Sequence, residues 1–151
     1  MGRMYTFAGT KMNSTLSDLI ELKAPDGIRV VVHEVRISVL DQIKREVPRV
    51  TINLHRSEAS GSLGSTGTPV SLEGAGAPAS DCLIETDNLT RANITESFHT
   101  IAWNMLIPIH YFPTPEARPV LTAAGDTFFI VKRGSGTVSD VAYSIVWEEF
   151  G

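Results

Sequence analysis

Apolar and polar residues alternate with a period of two along most of this chain. In IRVVVHEVRISVL (residues 28–40), Val31, His33, Val35, Ile37 and Val39 share one face, and Val30, Val32, Glu34, Arg36 and Ser38 share the other. The pattern predicts a long strand with the first set buried and an outer face that turns polar only toward its far end. In RVTINLHR, Val50, Ile52 and Leu54 face in while Arg49, Thr51, Asn53 and His55 face out. In VSDVAYSIVWEEF, Val141, Tyr143, Ile145 and Trp147 alternate with Asp140, Ala142, Ser144, Val146 and Glu148. The one-sided bias is that of antiparallel sheets with one wet face. Strands are predicted over 4–8, 17–23, 28–40, 49–57, 81–87, 97–107, 119–122, 127–133 and 138–149. DQIKREV (41–47) offers one turn of helix, and no segment carries a sustained helical stripe.

Turn chemistry separates these runs. Pro25-Asp26-Gly27 presets one φ and accepts a positive one, and is expected to join 17–23 to the long strand as a hairpin. REVP before Arg49, AAGD (123–126) and RGSGT (133–137) break the chain again. FPTPEARP (112–119) must be a loop, because proline cannot donate to a ladder. The stretch SEASGSLGSTGTPVSLEGAGAPAS (57–80) is soft and small-residued. It exceeds the roughly 12–15 residues beyond which an irregular loop is usually functional or disordered. Val70 and Leu72 are spaced to project from one side of it, so TPVSL is suited to pair as an added strand or to pack in a subunit groove.

Eight or nine short antiparallel strands without an internal repeat predict an all-β fold, an antiparallel two-sheet jelly-roll-like sandwich with a long Gly/Ser-rich loop. The whole of 1–151 is read as a single β-sandwich domain, with 1–12 as an N-terminal arm. An immunoglobulin-type sandwich ranks second, since the Cys…Trp…Cys spacing is missing. At 151 residues the chain fits one domain able to build its own core, and a hydrophobic content of 42% is ordinary for a globular protein.

A net charge of −4 with both signs scattered gives no footprint for nucleic acid or an anionic membrane. No apolar run approaches a membrane span, and the N-terminal stretch lacks the apolar core of a secretory signal. Gly2 with Thr6 is a weak myristoylation match. The single cysteine, Cys82, excludes an intrachain disulfide and reads as a buried or half-buried structural thiol. Without a signal peptide, the sequons at Asn13, Asn88 and Asn93 read as chance.

Candidate chemistry is sparse. The histidines are His33, His55, His99 and His110. None forms the His-x-His pair that would aim two imidazoles into a barrel, which disfavours a cupin-like metalloenzyme, and His33 reads as a hydrogen-bonded core or interface residue. There is no G-x-S-x-G and no phosphate-binding G-x-x-x-x-G-K-[ST]. Glu148 and Glu149 fall on opposite faces of one strand, so as neighbours they cannot form a glycosidase pair. Aromatic residues, at 7%, are too dispersed for a base-stacking platform. The expectation is a non-enzyme without metal or other cofactor.

Several corners carry a resemblance. After the arginine-ended NLHR strand comes the loop closing in Thr68-Pro69-Val70 and Leu72. Trp103 is followed by Pro113, Pro115, Glu116, Arg118 and Pro119, then by Gly125-Asp126. Trp147 precedes Glu148-Glu149 in the closing strand. With TLSDLIELKAPDGIRVVVHEVRIS at the start, this order resembles the jelly-roll capsid decoration (cement) proteins of tailed bacteriophages over nearly the whole chain. The resemblance implies a structural virion protein made in the host cytoplasm and carried on the capsid surface. Its partner would be the major capsid protein, and it would be a homotrimer, with no nucleic acid and no membrane involved.

The residues suggest where such a protein would associate. Val30, Val32 and Val146 are apolar on faces expected to be wet, and Val70, Leu72, Tyr111 and Phe112 sit on loops or loop margins. These seven are the candidate interface, and a closed ring of three would cover Val30 and Val32. The competing reading is a receptor- or carbohydrate-binding module of a phage tail or fibre, for which Tyr111 and Phe112 are the exposed aromatic candidates.

Overall fold

The computed structural model describes residues 2–11, 18–40, 49–55, 64–88, 99–102, 107–122, 128–133 and 140–151. The strands in chain order are β1 (Arg3–Lys11), β2 (Asp18–Lys23), β3 (Arg29–Val39), β4 (Arg49–His55), β5 (Ser65–Gly67), β6 (Val70–Ser71), β7 (Leu83–Asn88), β8 (His99–Ala102), β9 (Ile109–Tyr111), β10 (Val120–Leu121), β11 (Phe128–Arg133) and β12 (Val141–Phe150). One 3-10 turn, Pro115–Ala117, interrupts the loop between β9 and β10. The predicted helical turn at 41–47, the AAGD corner with Gly125, Trp103, and the sequons at Asn13 and Asn93 lie outside the described residues.

The strands form two antiparallel six-stranded sheets. Sheet A runs β10-β3-β12-β1-β6, with β9 beside β10 on the same edge of β3; sheet B runs β5-β7-β2-β11-β4-β8. Setting aside β5, β6 and β7, the pairings nest. β1 pairs with β12, β2 with β11, β3 with β9 and β10, and β4 with β8. A long antiparallel ribbon rolled on itself in this way is a jelly roll, as the alternation pattern predicted. The 57–80 stretch and β7 are an insertion between β4 and β8.

The core lies between the sheets. Sheet A contributes Tyr5, Val30, Val32, Val35, Ile37, Tyr143, Ile145 and Trp147, and sheet B contributes Ile20, Leu22, Ile84, Phe129 and Val131. Tyr5 and Trp147 stack at 6.1 Å between ring centroids. In β4, Leu54 is registered opposite Phe129 and Ile52 opposite Val131. Asn88 is 0% exposed, which rules out that sequon as a glycan acceptor in the folded chain.

Three expectations are corrected. Residues 3–11 are not an arm, because Tyr5 is buried in the core, Phe7 packs against it and β12 pairs with the whole strand. Pro25-Asp26-Gly27 does turn, with Gly27 at φ +80°, but it carries the chain from sheet B to sheet A rather than closing a hairpin. Leu22 before it and Val30 after it enter the same core from opposite sheets.

The third correction concerns the phase of β3. Val30 and Val32 are each 0% exposed in the core, while Val31 and His33 point the other way. The register against β12 slips at this point, with Val146 opposite Glu34 and Trp147 opposite Val32, so His33 is an extra residue in β3. A bulge of this kind returns Val35 and Ile37 to the core side, so both halves of the strand bury their valines although they differ in phase. Val30 and Val32 therefore offer no side chain to a second subunit.

Candidate functional site: the outer face of sheet A

The register assembles an outer face from residues far apart in sequence. Since Tyr5 points into the core, Met4, Thr6, Ala8 and Thr10 of β1 point out. Across the sheet they meet Glu148, Val146, Ser144 and Ala142 of β12. β6 extends this face, because Val70 stands opposite Thr6 and the Leu72 N–H donates to the Met4 carbonyl at 2.9 Å. On the far edge, His110 stands opposite Arg36, and the Phe112 ring lies 5.8 Å from the His110 ring.

Four candidate interface residues lie on this face. Val70 and Leu72, 61% and 54% exposed, stand at its β6 edge, Phe112, 62% exposed, stands at the opposite edge beside β9, and half-buried Val146 lies between them. Tyr111 does not join them. It stands opposite Val35 and packs against the core, where burial raises its phenol pKa. Phe150, with the Arg29 guanidinium 5.8 Å from its ring centre, closes one end of the face.

The polar groups of the face are paired. His33 Nε2 contacts Glu148 Oε2 at 3.0 Å, His110 Nε2 contacts Glu34 Oε1 at 2.5 Å, and the Arg36 guanidinium also bonds Glu34. His33 is thus hydrogen-bonded as expected, but on the outer face rather than in the core. Between β1, β12 and β3 the side chains are small, with Ala8, Thr10, Ser38, Ala142 and Ser144 flooring a shallow depression of about 510 Å³. Among the described residues, no three His, Cys, Asp or Glu side chains are grouped to hold a metal ion. The side chains of His55 and His99 lie outside the described residues.

Residues 64–80 of the Gly/Ser-rich stretch form a strap over one edge of the sandwich. β5 adds to sheet B through β7, and β6 adds to sheet A through β1. Glycines at φ +98° and +95° (Gly74 and Gly76) turn the chain between β6 and the return at Ser80. A latch that the alternation pattern did not single out holds this return. Glu149, 5% exposed, accepts from Ser80 Oγ at 2.5 Å, from Trp147 Nε1 at 2.9 Å and from the Asp81 N–H at 3.1 Å. The Tyr5 hydroxyl adds contacts to the Pro78 and Ala79 carbonyls at 3.3 and 3.4 Å.

Burial by itself would raise the Glu149 pKa, but the hydrogen bonds from Ser80, Trp147, Asp81 and Cys82 outweigh it and hold the carboxyl below its ordinary value. An anion so held is a strut, since a general base is most effective with a pKa near the working pH. The readable signal was its phase: Glu149 continues the inward series Val141, Tyr143, Ile145, Trp147, and an inward carboxylate needs donors. Cys82, beside it, is buried as expected, and its thiol pKa is pushed up by burial first and by the Glu149 charge second.

No family model, no curated protein and no solved structure matches this chain.

Proposed function

We propose that this chain is a structural virion protein of a tailed bacteriophage, a decoration protein that docks on the major capsid protein through the outer face of sheet A. The observation that carries the reading is that Val70, Leu72, Val146 and Phe112 all lie on one face, three of them more than half exposed. Exposed apolar groups gathered on a single face favour a protein partner, whereas isolated ones need no explanation. The paired histidines and glutamates supply polar contacts within the same surface. The corner motifs described above add support for the family. The suggested three-fold association loses its residue argument, because Val30 and Val32 belong to the core.

Co-sedimentation with undecorated heads of the virus that encodes the chain is the test. Wild type should bind, and Val70→Ser with Leu72→Ser should weaken binding at least about tenfold, each lost apolar contact contributing on the order of 1 kcal/mol. The melting temperature should stay within a few degrees of wild type. Wild type that leaves the heads bare overturns the reading, and a double variant that binds as well as wild type moves the docking surface elsewhere. Phe112 beside His110 favours one alternative, a glycan-binding module of a tail or fibre, because an exposed ring suits a sugar face. Glycan-array binding lost on Phe112→Ala would support that alternative instead.

A further inference from the structure

β1 has two edges, and they are treated differently. Along one, β12 pairs with all nine residues of the strand. Along the other, β6 covers only Tyr5 and Thr6, and Leu72 reaches back to Met4. Because Met4 accepts from Leu72, its backbone groups point away from β12, and alternation points those of Thr6, Ala8 and Thr10 the same way. Thr6 meets Val70. Among the described residues, nothing pairs with the outward N–H and C=O of Ala8 and Thr10, and both residues are exposed.

This edge also lacks the usual guards. β5 and β6 are three and two residues long, and β9 and β10 are short and lie beside Pro108, Pro113 and Pro119. Short strands and flanking prolines discourage strand addition. The open stretch of β1 is Ala8-Gly9-Thr10, with no proline, no charge and no register slip against β12.

We propose that this edge pairs with the same edge of a second copy, antiparallel, about a two-fold axis at Gly9. The register is self-complementary. Ala8 stands opposite Thr10 of the second copy and Thr10 opposite its Ala8, each pair exchanging both backbone hydrogen bonds, and Gly9 faces Gly9. The residues whose groups point outward are the ones this register joins. The central residues brought together are Ala, Gly and Thr, which do not obstruct the approach of the two backbones, and Phe7 stands opposite Lys11 at each end. Pairing stops at Lys11, where β1 ends, because the next position would run into Val70 on Thr6. The two copies would then share one continuous sheet, with their small-residue depressions side by side on one broad face.

Light scattering after size exclusion, with concentration raised to about 1 mM, tests this. A mass of about twice 16.4 kDa is expected. Thr10→Pro removes the outward N–H, while the ladder to β12 uses Gly9 and Lys11. It should weaken dimerisation at least about tenfold with little change in melting temperature. Hydrogen exchange on wild type needs no variant, and the Ala8 and Thr10 amides should slow about tenfold or more as the dimer fills. A single-chain mass throughout, a three-chain mass, or a dimer whose Ala8 and Thr10 amides exchange unprotected would each overturn the pairing. Capsid docking is scored separately by co-sedimentation, so a dimer that ignores heads and a monomer that binds them fail different proposals.

Discussion

Replacing Glu149 by Ala should loosen the strap and destabilise the whole domain. Besides the weak Cys82 thiol, the carboxylate serves three donors, and they are not equivalent. Trp147 is 0% exposed, so its indole N–H would be stranded in the core, at a cost of about 1.5–3 kcal/mol for a bond to a charged acceptor. Ser80 and the Asp81 N–H lie nearer solvent and can turn to water, so each should cost only about 0.5–1 kcal/mol. The sum is about 2.5–5 kcal/mol. At roughly 2–4 °C per kcal/mol for a chain of this size, the melting temperature should fall by about 5–20 °C. Limited proteolysis should cut the variant between Leu72 and Ser80 faster than wild type. Acid supplies a second arm. The folded pKa of Glu149 lies below its unfolded value, so its stabilisation is present above the ordinary glutamate value of about 4.3 and is lost as pH falls through the folded pKa. Glu149→Gln should start less stable and show a flatter decline across that acid range. A Glu149→Ala melt within about 2 °C of wild type, with unchanged proteolysis, would refute the latch.

Changing Val30 and Val32 together to Asp should unfold the chain rather than dissociate an assembly, since it puts two unpartnered carboxylates in the core; a folded variant of lower mass by circular dichroism and light scattering would count against the bulged register of β3. Val32→Ala alone should cost roughly 2 kcal/mol by chemical denaturation, the loss of two buried methyl-sized groups plus a small cavity. Cys82 should react with a thiol reagent at least about a hundredfold more slowly in the native chain than in denaturant, because burial and the neighbouring Glu149 charge both oppose the thiolate; rapid native labelling would refute its burial.

Much of the fold was legible in the alternation of side chains. β3, β4 and β12 fall where a period of two placed them, and β2 and β11 fall within runs that turn residues bounded; β12 shows why, since the core selects every second residue of it. Which strands share a sheet was less legible. Pairing is a long-range choice, so the Pro-Asp-Gly turn reads equally as a hairpin or as a crossing between sheets. Val30-Val31-Val32 shows the limit of periodicity: three valines in a row fit either phase, and the bulge at His33 is decided by the partner strand. The strap was legible as an apolar Val70/Leu72 projection, but not as a two-sheet edge cover, since β5 and β6 are too short to carry a pattern. The outer face of sheet A could be assembled only from the structure, where the register sets Val70 and Val146 on one surface and the His110 ring contact adds Phe112.

The place of β12 has a consequence for how the chain comes to its fold. It is the last strand in chain order and lies in the middle of its sheet, between β1 and β3. It carries the ladders that join β1 and β6 to β3, β9 and β10. During synthesis β1 and β3 emerge before β12, so the two halves of sheet A cannot join until residues 141–150 have been made. Closing β1 onto β12 pairs residues as far apart in sequence as Arg3 and Glu149, so the entropy of that closure falls on one late step. Folding should therefore be slow for a domain of this size and end in a single cooperative closure, with the half-made protein most exposed to misassociation just before it.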